Sequence, residues 1–238
     1  MSIGENLHKV RERIAAACAA AGRSADSVRL VAVSKFQPVS AIEAAYQAGQ
    51  RDFGENYVQE LEGKASELAA LTELRFHLIG HLQRNKVKKV AALSAAIHSV
   101  DSSELIEELG KRVAAARDDR VAHFGEAGAQ LDVLLEVSIA REAQKAGCAP
   151  EALPRLLDAV DAEPALRLRG LMCVPPQADD PAPHFQALFQ LRESLGGARR
   201  LPELSMGMTA DLEAAIAAGT TCVRVGTAIF GERPPKTT

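Results

Sequence analysis

The stretch VRLVAVSK, residues 28–35, decides the fold. Apart from Arg29, its first six residues are Val, Leu or Ala, which is typical of a strand buried on both faces. Lys35 closes the stretch, and Pro38 opens a helical pattern shortly afterwards. Parallel α/β folds bind ligands at the carboxyl ends of their strands, where this lysine is predicted to lie. A partly desolvated lysine can form a Schiff base with a carbonyl compound, whereas the commoner alternative is a solvated lysine in a strand–helix loop.

The same strand-then-helix pattern recurs along the whole chain. The predicted strands cover residues 28–34, 51–54, 74–79, 96–100, 131–138, 166–173, 203–206 and 221–225. Eight such units in strict alternation, with an extra helix at residues 3–21 before them, predict a single (β/α)8 TIM-type barrel of the α/β class. We expect residues 1–238 to form one domain. An open doubly wound sheet is the alternative, but it usually carries a glycine-rich turn after its first strand, and SKFQP has no glycine.

Three segments between the strands carry predictions of their own. Residues 117–130 are polar and without periodicity, which predicts a surface loop or an ill-ordered insertion. Residues 86–93 are basic and half apolar and predict a helix. Thr209 is predicted to cap a helix that ends at residue 218.

Composition excludes several classes of function. The net charge of -3 gives no basic field, so we expect no nucleic-acid partner. The four cysteines have neither CxxC nor metal-ligand spacing and predict buried free thiols and no metal site. A charged amphipathic start and the lack of any run near the ~18 apolar residues of a membrane span predict a cytoplasmic chain without a signal peptide.

Two small-residue turns follow the last two predicted strands. They read SMGMT, residues 205–209, and RVGT, residues 224–227. Barrels frequently bind phosphate with the loops after strands 7 and 8, through backbone N–H groups and hydroxyl donors. Two ordinary capped helix starts are an equally good interpretation of these turns taken alone.

Arg224 lies inside the last predicted strand, two residues before a Gly-Thr turn. A buried guanidinium needs an acceptor, because leaving it unpaired is costly. The structural alternative is an ion pair with Glu136 or Glu203. A lysine at one strand end, a phosphate-binding turn and an arginine between them suit pyridoxal phosphate (PLP).

Several longer motifs resemble the PLP homeostasis proteins, the YggS/PROSC group. The resemblance runs in matching order from about residue 5 to 232 and is carried by LVAVSK, DFGENYVQE, FHLIGHLQRNK, HSVDS, LRGLMCVPP, SMGMTADLEAAI and VRVGTAIFG. It implies the barrel of the alanine racemase N-terminal domain, and PLP held by Lys35 as a Schiff base.

The resemblance also implies roles for the other candidate residues. Arg224 would face the pyridine nitrogen, and Asn56 would lie near the ring. Lys145 matches a second family lysine thought to assist cofactor release or exchange. The phosphate would be held by Ser205, Gly207, Gly226 and Thr227. Met206 would lie beside them in the cofactor site.

The chain departs from the family pattern at three places. His81 stands where a small residue or proline is usual, Thr209 replaces the common serine, and residues 117–130 are longer than in many members. None of these alters Lys35 or the residues implied to hold the phosphate.

The expected function is intracellular PLP homeostasis by storage or delivery, without strong catalysis. An arginine beside the pyridine nitrogen disfavours ring protonation, and an unprotonated ring is a weak electron sink. Racemisation needs a second base, which alanine racemases take from a tyrosine of another domain. Here Tyr57 more plausibly packs beside the ring, and the chain ends at Thr238 without that domain.

Two alternatives stay open. One is a low-activity PLP-dependent amino acid racemase, and the other is a regulatory module that meets a protein partner through the basic segment 84–89. We expect a monomer, with PLP-dependent apoenzymes as possible recipients of the cofactor.

Overall fold

The computed structural model describes residues 2–140, 146–176 and 180–231. Eight parallel strands close into a barrel in chain order, from the first strand round to the last. The strands are β1 Arg29–Val33, β2 Asp52–Glu55, β3 Arg75–Leu78, β4 Ser94–Val100, β5 Leu131–Glu136, β6 Leu166–Met172, β7 Glu203–Ser205 and β8 Cys222–Val225. The predicted barrel and all eight predicted strands are therefore confirmed.

Helices connect the strands around the outside. They are α1 Ile3–Ala20, α2 Val39–Gln47, α3 Val58–Glu67, α4 Val87–Val90, α5 Ser103–Ala115, α6 Arg117–Phe124, α7 Leu153–Asp161, α8 Pro181–Ser194, α9 Gly197–Arg200, α10 Leu212–Ala217 and α11 Thr227–Phe230. Short 3-10 turns occur at Ala25–Ser27, Arg84–Lys86, Glu126–Gly128 and Pro150–Ala152.

The pairing of β1 with β8 distinguishes the barrel from an open sheet. Leu30 pairs with Val223, and Val31 pairs with Arg224 in the same parallel register. Successive strand residues point alternately to the barrel interior and to the helices, so the apolar runs of the sequence are buried on both sides. Val31 and Ala32 are accordingly 0% exposed.

The extra N-terminal helix is also confirmed. Ser2 and Glu5 form a reciprocal capping box at its start. Its buried face carries Leu7, Val10, Ile14 and Cys18 at helical spacing. The side-chain amide of Asn6 donates to the carbonyl of Ile229 at 3.0 Å, which ties this helix to α11.

The prediction of a loop or ill-ordered insertion at residues 117–130 is wrong. The segment forms α6 and a 3-10 turn around Arg120, whose side chain is almost fully buried. Its guanidinium donates to four backbone carbonyls, those of Ala91, Ser94, Gly128 and Gln130. Distant hydrogen bonds, which leave no periodicity in the sequence, therefore order this polar segment.

Two helix boundaries differ from prediction. The helix after β7 begins at Leu212 and not at Thr209, because Asp211 accepts from the N–H of Met208 and holds the intervening residues in a turn. The helix predicted at residues 86–93 is shorter and is preceded by a 3-10 turn.

All four cysteines are buried and free, as predicted. Within the described ranges no helix combines the length and apolarity needed to traverse a bilayer.

Candidate functional site

A cavity of about 420 Å³ opens at the carboxyl ends of the strands. Its volume lies within the ~300–1,000 Å³ usual for small-molecule sites. The lining residues are Val33, Lys35, Gln37, Asn56, Ile79, Val174, Met208, Thr209, Ala210, Arg224, Gly226, Thr227 and Gly231. Lysine, arginine, amide and hydroxyl groups thus share one cavity with an apolar wall.

Lys35 follows β1 and is half-buried. The next residue, Phe36, has a φ of 63°, in the left-handed region that a non-glycine residue rarely adopts. Its N–H donates to the Glu60 carboxylate at 2.7 Å, and its ring packs on Tyr57 with centroids 5.3 Å apart. The chain therefore turns sharply immediately after the lysine, and α3 holds the turn.

A buried ion network lies beneath this turn. The ammonium of Lys64, on α3, donates to the Ser34 carbonyl at 2.7 Å and to the carboxylates of Glu55 and Glu60, each at 2.8 Å. The hydroxyl of Ser34 also donates to Glu55 at 2.7 Å. Burial raises the pKa of Glu55, and the charge of Lys64 opposes that rise. The network fixes the backbone on both sides of Lys35.

Asn56 follows β2 and carries a buried side-chain oxygen, Oδ1, without a hydrogen-bond partner among the described residues. Such an atom costs free energy unless a ligand or water satisfies it. Gly80 packs against the Asn56 backbone so closely that a Cβ there would lie 2.3 Å from the Asn56 carbonyl oxygen. The glycine therefore sets the position of Asn56 in the wall.

The two predicted phosphate-binding turns meet at one side of the cavity. Thr227 begins α11, and its hydroxyl donates to the Thr209 hydroxyl at 3.2 Å. The first N–H groups of a helix have no carbonyl partner within that helix and can donate to an anion. Gly207 has a φ of 96°, and a Cβ there would lie 2.5 Å from that of Ala215. Glycine is therefore required for the turn after β7.

Arg224 is 4% exposed and reaches the cavity from inside the barrel. Its Nη1 donates to the carbonyl and the hydroxyl of Ser205, both at 2.6 Å, and its Nη2 donates to the Cys173 carbonyl at 2.9 Å. The alternative ion pair with Glu203 is not formed, because Glu203 pairs with Arg29 and Arg169.

The structure divides the predicted site residues into three groups. Lys35, Asn56, Arg224, Gly226 and Thr227 line the cavity. Ser205, Met206 and Gly207 are buried next to it without lining it. Lys145 lies outside the described residues.

Sequence reasoning missed several wall residues, among them Gln37, Ile79 and Val174. Each of these three lies within three residues of a predicted strand end, and that position is the signal that could have found them.

His77 and His98 are buried inside the barrel. Among the described residues no cluster of three or more His, Cys, Asp or Glu side chains could hold a metal ion.

Burial raises the pKa of the Glu136 carboxyl to about 7, although the charge of Arg224 opposes that rise.

The barrel, together with the lysine and arginine at its strand ends, defines the class of protein to which this chain belongs. The model of the alanine racemase N-terminal domain matches residues 6–234, and the chain belongs to that family.

Comparison with individual proteins identifies a narrower family within this class. The chain is 46% identical to a PLP homeostasis protein of Pseudomonas aeruginosa over 233 residues, covering 98% of this chain and 96% of that protein. It is 42% identical to one of Escherichia coli K12 over 237 residues, with 97% of each covered. Among solved structures, PipY of Synechococcus elongatus with PLP bound has a TM-score of 0.73 and 37% identity, covering 97% of this chain and 100% of that one. The chain is a member of the PLP homeostasis protein family.

Proposed function

We propose that this chain binds PLP through a Schiff base at Lys35 and acts in intracellular PLP homeostasis, by storage or delivery without strong catalysis. The observation that carries the proposal is one cavity lined by Lys35, Arg224, Gly226 and Thr227. The names of the relatives support it, as does the related structure that contains PLP.

The residues present fit this cofactor. The buried Asn56 Oδ1 lacks a partner among the described residues and can accept a hydrogen bond from a ligand. The guanidinium of Arg224 offers only donors, so a pyridine nitrogen beside it acts as an acceptor and stays unprotonated. Bound PLP supplies an aldehyde for the lysine and an electron-withdrawing ring.

The phosphate is assigned to the turns after β7 and β8. Gly226 and Thr227 provide N–H groups at the start of α11, and the hydroxyls of Thr227 and Thr209 provide further donors. Met206 and Gly207 support this side of the cavity from within. Lys145 is proposed to assist release or exchange of the cofactor.

We further propose that residues 1–238 form one domain, which works as a cytoplasmic monomer. PLP-dependent apoenzymes are the proposed recipients.

The cavity favours holding the cofactor over racemising an amino acid. Among the described residues that line it, only Lys35 and Arg224 carry ionisable side chains. An arginine stays charged and cannot serve as a base at neutral pH. Racemisation needs a base on each face of the substrate carbon, so a second base would have to come from elsewhere. Turnover of alanine by the pure protein at a rate typical of enzymes would favour the racemase alternative.

Borohydride reduction followed by peptide mass spectrometry tests the proposal. We expect a pyridoxyl adduct on Lys35, absent from Lys35→Ala and retained by Lys88→Ala, which alters an exposed lysine of α4. An unmodified Lys35 in protein saturated with PLP would overturn the proposal.

A further inference from the structure

A row of buried polar side chains crosses the barrel interior and ends at Arg224. Asp52 Oδ1 lies 2.8 Å from His77 Nε2, and His77 Nδ1 lies 3.0 Å from His98 Nε2. His98 Nδ1 lies 2.9 Å from Ser205 Oγ, which accepts from Arg224 Nη1 at 2.6 Å. The row therefore connects β2, β3, β4, β7 and β8.

These groups are shielded from water. His98 and Ser205 are 0% exposed, His77 is 2% exposed and Arg224 is 4% exposed. At the far end, Asp52 forms an ion pair with Arg75 at 2.7 Å, and half of the Arg75 side chain is exposed. The row thus runs from a partly solvated ion pair at the amino-terminal ends of β2 and β3 to the cavity.

When each imidazole carries a single proton, the two ends fix the direction of every hydrogen bond in the row. An arginine can only donate, and an ionised carboxylate can only accept. Asp52 is ionised, because hydrogen bonds from His77 and Arg75 outweigh its burial and hold its pKa well below the usual value. Burial, reinforced by the charge of Arg224, holds the pKa of His98 well below its usual value, so that ring is neutral.

One arrangement with both rings neutral satisfies all four contacts. Arg224 donates to Ser205, whose hydroxyl donates to Nδ1 of His98. Nε2 of His98 donates to Nδ1 of His77, and Nε2 of His77 donates to Asp52. Each imidazole then uses one donor and one acceptor, and no polar atom of the row is left unpaired.

We propose that Asp52, His77, His98 and Ser205 are positioning residues that hold the Arg224 guanidinium at the cavity through this directed chain. The Ser205 hydroxyl then serves Arg224 and not the phosphate of a ligand. Three of the five N–H groups of Arg224 are committed, to the Ser205 carbonyl, the Ser205 hydroxyl and the Cys173 carbonyl. The guanidinium is therefore fixed before any ligand enters. The proposed role at the cofactor rests on the function proposed above, whereas the direction of the chain is a property of the protein alone.

The first test measures the histidine tautomers. Nitrogen-15 NMR of the imidazole nitrogens, on the full-length protein as purified and after PLP addition, reports which ring nitrogens carry protons. From the hydrogen-bond partners we expect each of the two rings to carry its proton on Nε2 and to be bare at Nδ1. An Nδ1-protonated tautomer or a doubly protonated ring at either position would overturn the proposal. This result does not depend on whether Lys35 binds PLP.

The second test uses two buried serines that differ in their partners. Ser205→Ala cuts the chain, whereas Ser94→Ala removes a buried hydroxyl of β4 that has no partner among the described residues. We expect Ser205→Ala to raise the Kd for PLP roughly five- to tenfold, the effect of one hydrogen bond, and to shift the absorption maximum of the bound cofactor. Ser94→Ala should change neither quantity.

Pyridoxal, which lacks the phosphate, separates the two possible roles of Ser205. If the hydroxyl positions Arg224, Ser205→Ala weakens PLP and pyridoxal by the same factor. A loss confined to PLP would assign the hydroxyl to the phosphate and overturn the proposal, as would an unchanged Kd for both compounds. A wild-type protein without a Lys35 adduct would contradict the proposed function instead, and the tautomer result would still decide the direction of the chain.

Discussion

Replacing Lys64 by methionine tests the ion network beneath Lys35. The Lys64 ammonium has three donors, and each has a partner at 2.7–2.8 Å: the Ser34 carbonyl, Glu55 and Glu60. Methionine keeps much of the apolar stem but removes the charge and all three hydrogen bonds. Glu55 is 0% exposed, and one of its oxygens has no hydrogen-bond partner in the described part of the chain, so this carboxylate would lose its counter-charge.

Removing one partner of a buried ion pair costs about 3–5 kcal/mol. At pH 7 we expect the free energy of unfolding of Lys64→Met to fall by an amount within that range. Burial already raises the pKa of Glu55, and the loss of Lys64 raises it further. When the pKa of a carboxyl is higher in the folded than in the unfolded state, the folded protein loses stability as the pH rises above the pKa of the unfolded state. The deficit should therefore be smaller at pH 5 than at pH 7.

Urea unfolding followed by circular dichroism at both pH values measures the deficit. Lys89→Met is the matched control, because Lys89 pairs with Glu62 at 2.9 Å with 52% and 32% of the two side chains exposed. A surface pair of that kind contributes less than about 1 kcal/mol. A Lys64→Met deficit no larger than that of Lys89→Met, or one independent of pH, would refute the reasoning.

Three further substitutions test other parts of the barrel. Because burial raises the pKa of Glu136 from 4.5 to about 7, the free energy of unfolding should fall by up to roughly 3 kcal/mol between those pH values. Urea unfolding at several pH values in this range should show that Glu136→Gln removes the fall. Arg120→Met leaves four backbone carbonyls without their donor and should lower the free energy of unfolding, measured in urea, by about 3 kcal/mol. Arg117→Met, which alters an exposed arginine, should lower it by less than about 0.5 kcal/mol. In Gly170→Ala the new Cβ would lie 1.7 Å from the Glu203 carbonyl oxygen, so thermal unfolding should show a loss of about 3 kcal/mol or more. An unchanged Tm would contradict this prediction, because it would show that β6 and β7 can move apart with little loss of free energy.

The barrel could be predicted because its strands are buried on both faces and read as apolar runs. Residues 117–130 could not, because one buried arginine orders them through carbonyls up to 29 residues away. The start of the helix after β7 was missed for a local reason. Asp211 binds the Met208 N–H and delays the helix, although Thr209 is an equally good cap by composition.

The cavity was predictable where a lining residue follows a strand within two positions, as Lys35, Asn56 and Gly226 do. Ser205 was harder to place because it is the last residue of β7. Strand side chains alternate between the two faces, so Ser205 shares the interior face with Glu203, while Leu204 packs in the apolar core. If the end of the strand is misplaced by one residue, a residue of the barrel interior is assigned to the cavity instead. The interior partners of Ser205, on β4 and β8, cannot be read from local sequence.

The two networks constrain the cavity from different sides. Lys64 and its carboxylates fix the backbone around Lys35, and the row from Asp52 to Ser205 ends on Arg224. Both take charged groups out of water, which costs stability that apolar residues of the same volume would not cost. That cost is reasonable only if position matters at these two side chains. A site whose cationic groups are fixed in advance loses little entropy when it binds an anionic aromatic ligand. Preorganisation of this kind strengthens binding, and firm retention of the ligand is what the proposed role in storing or delivering PLP requires.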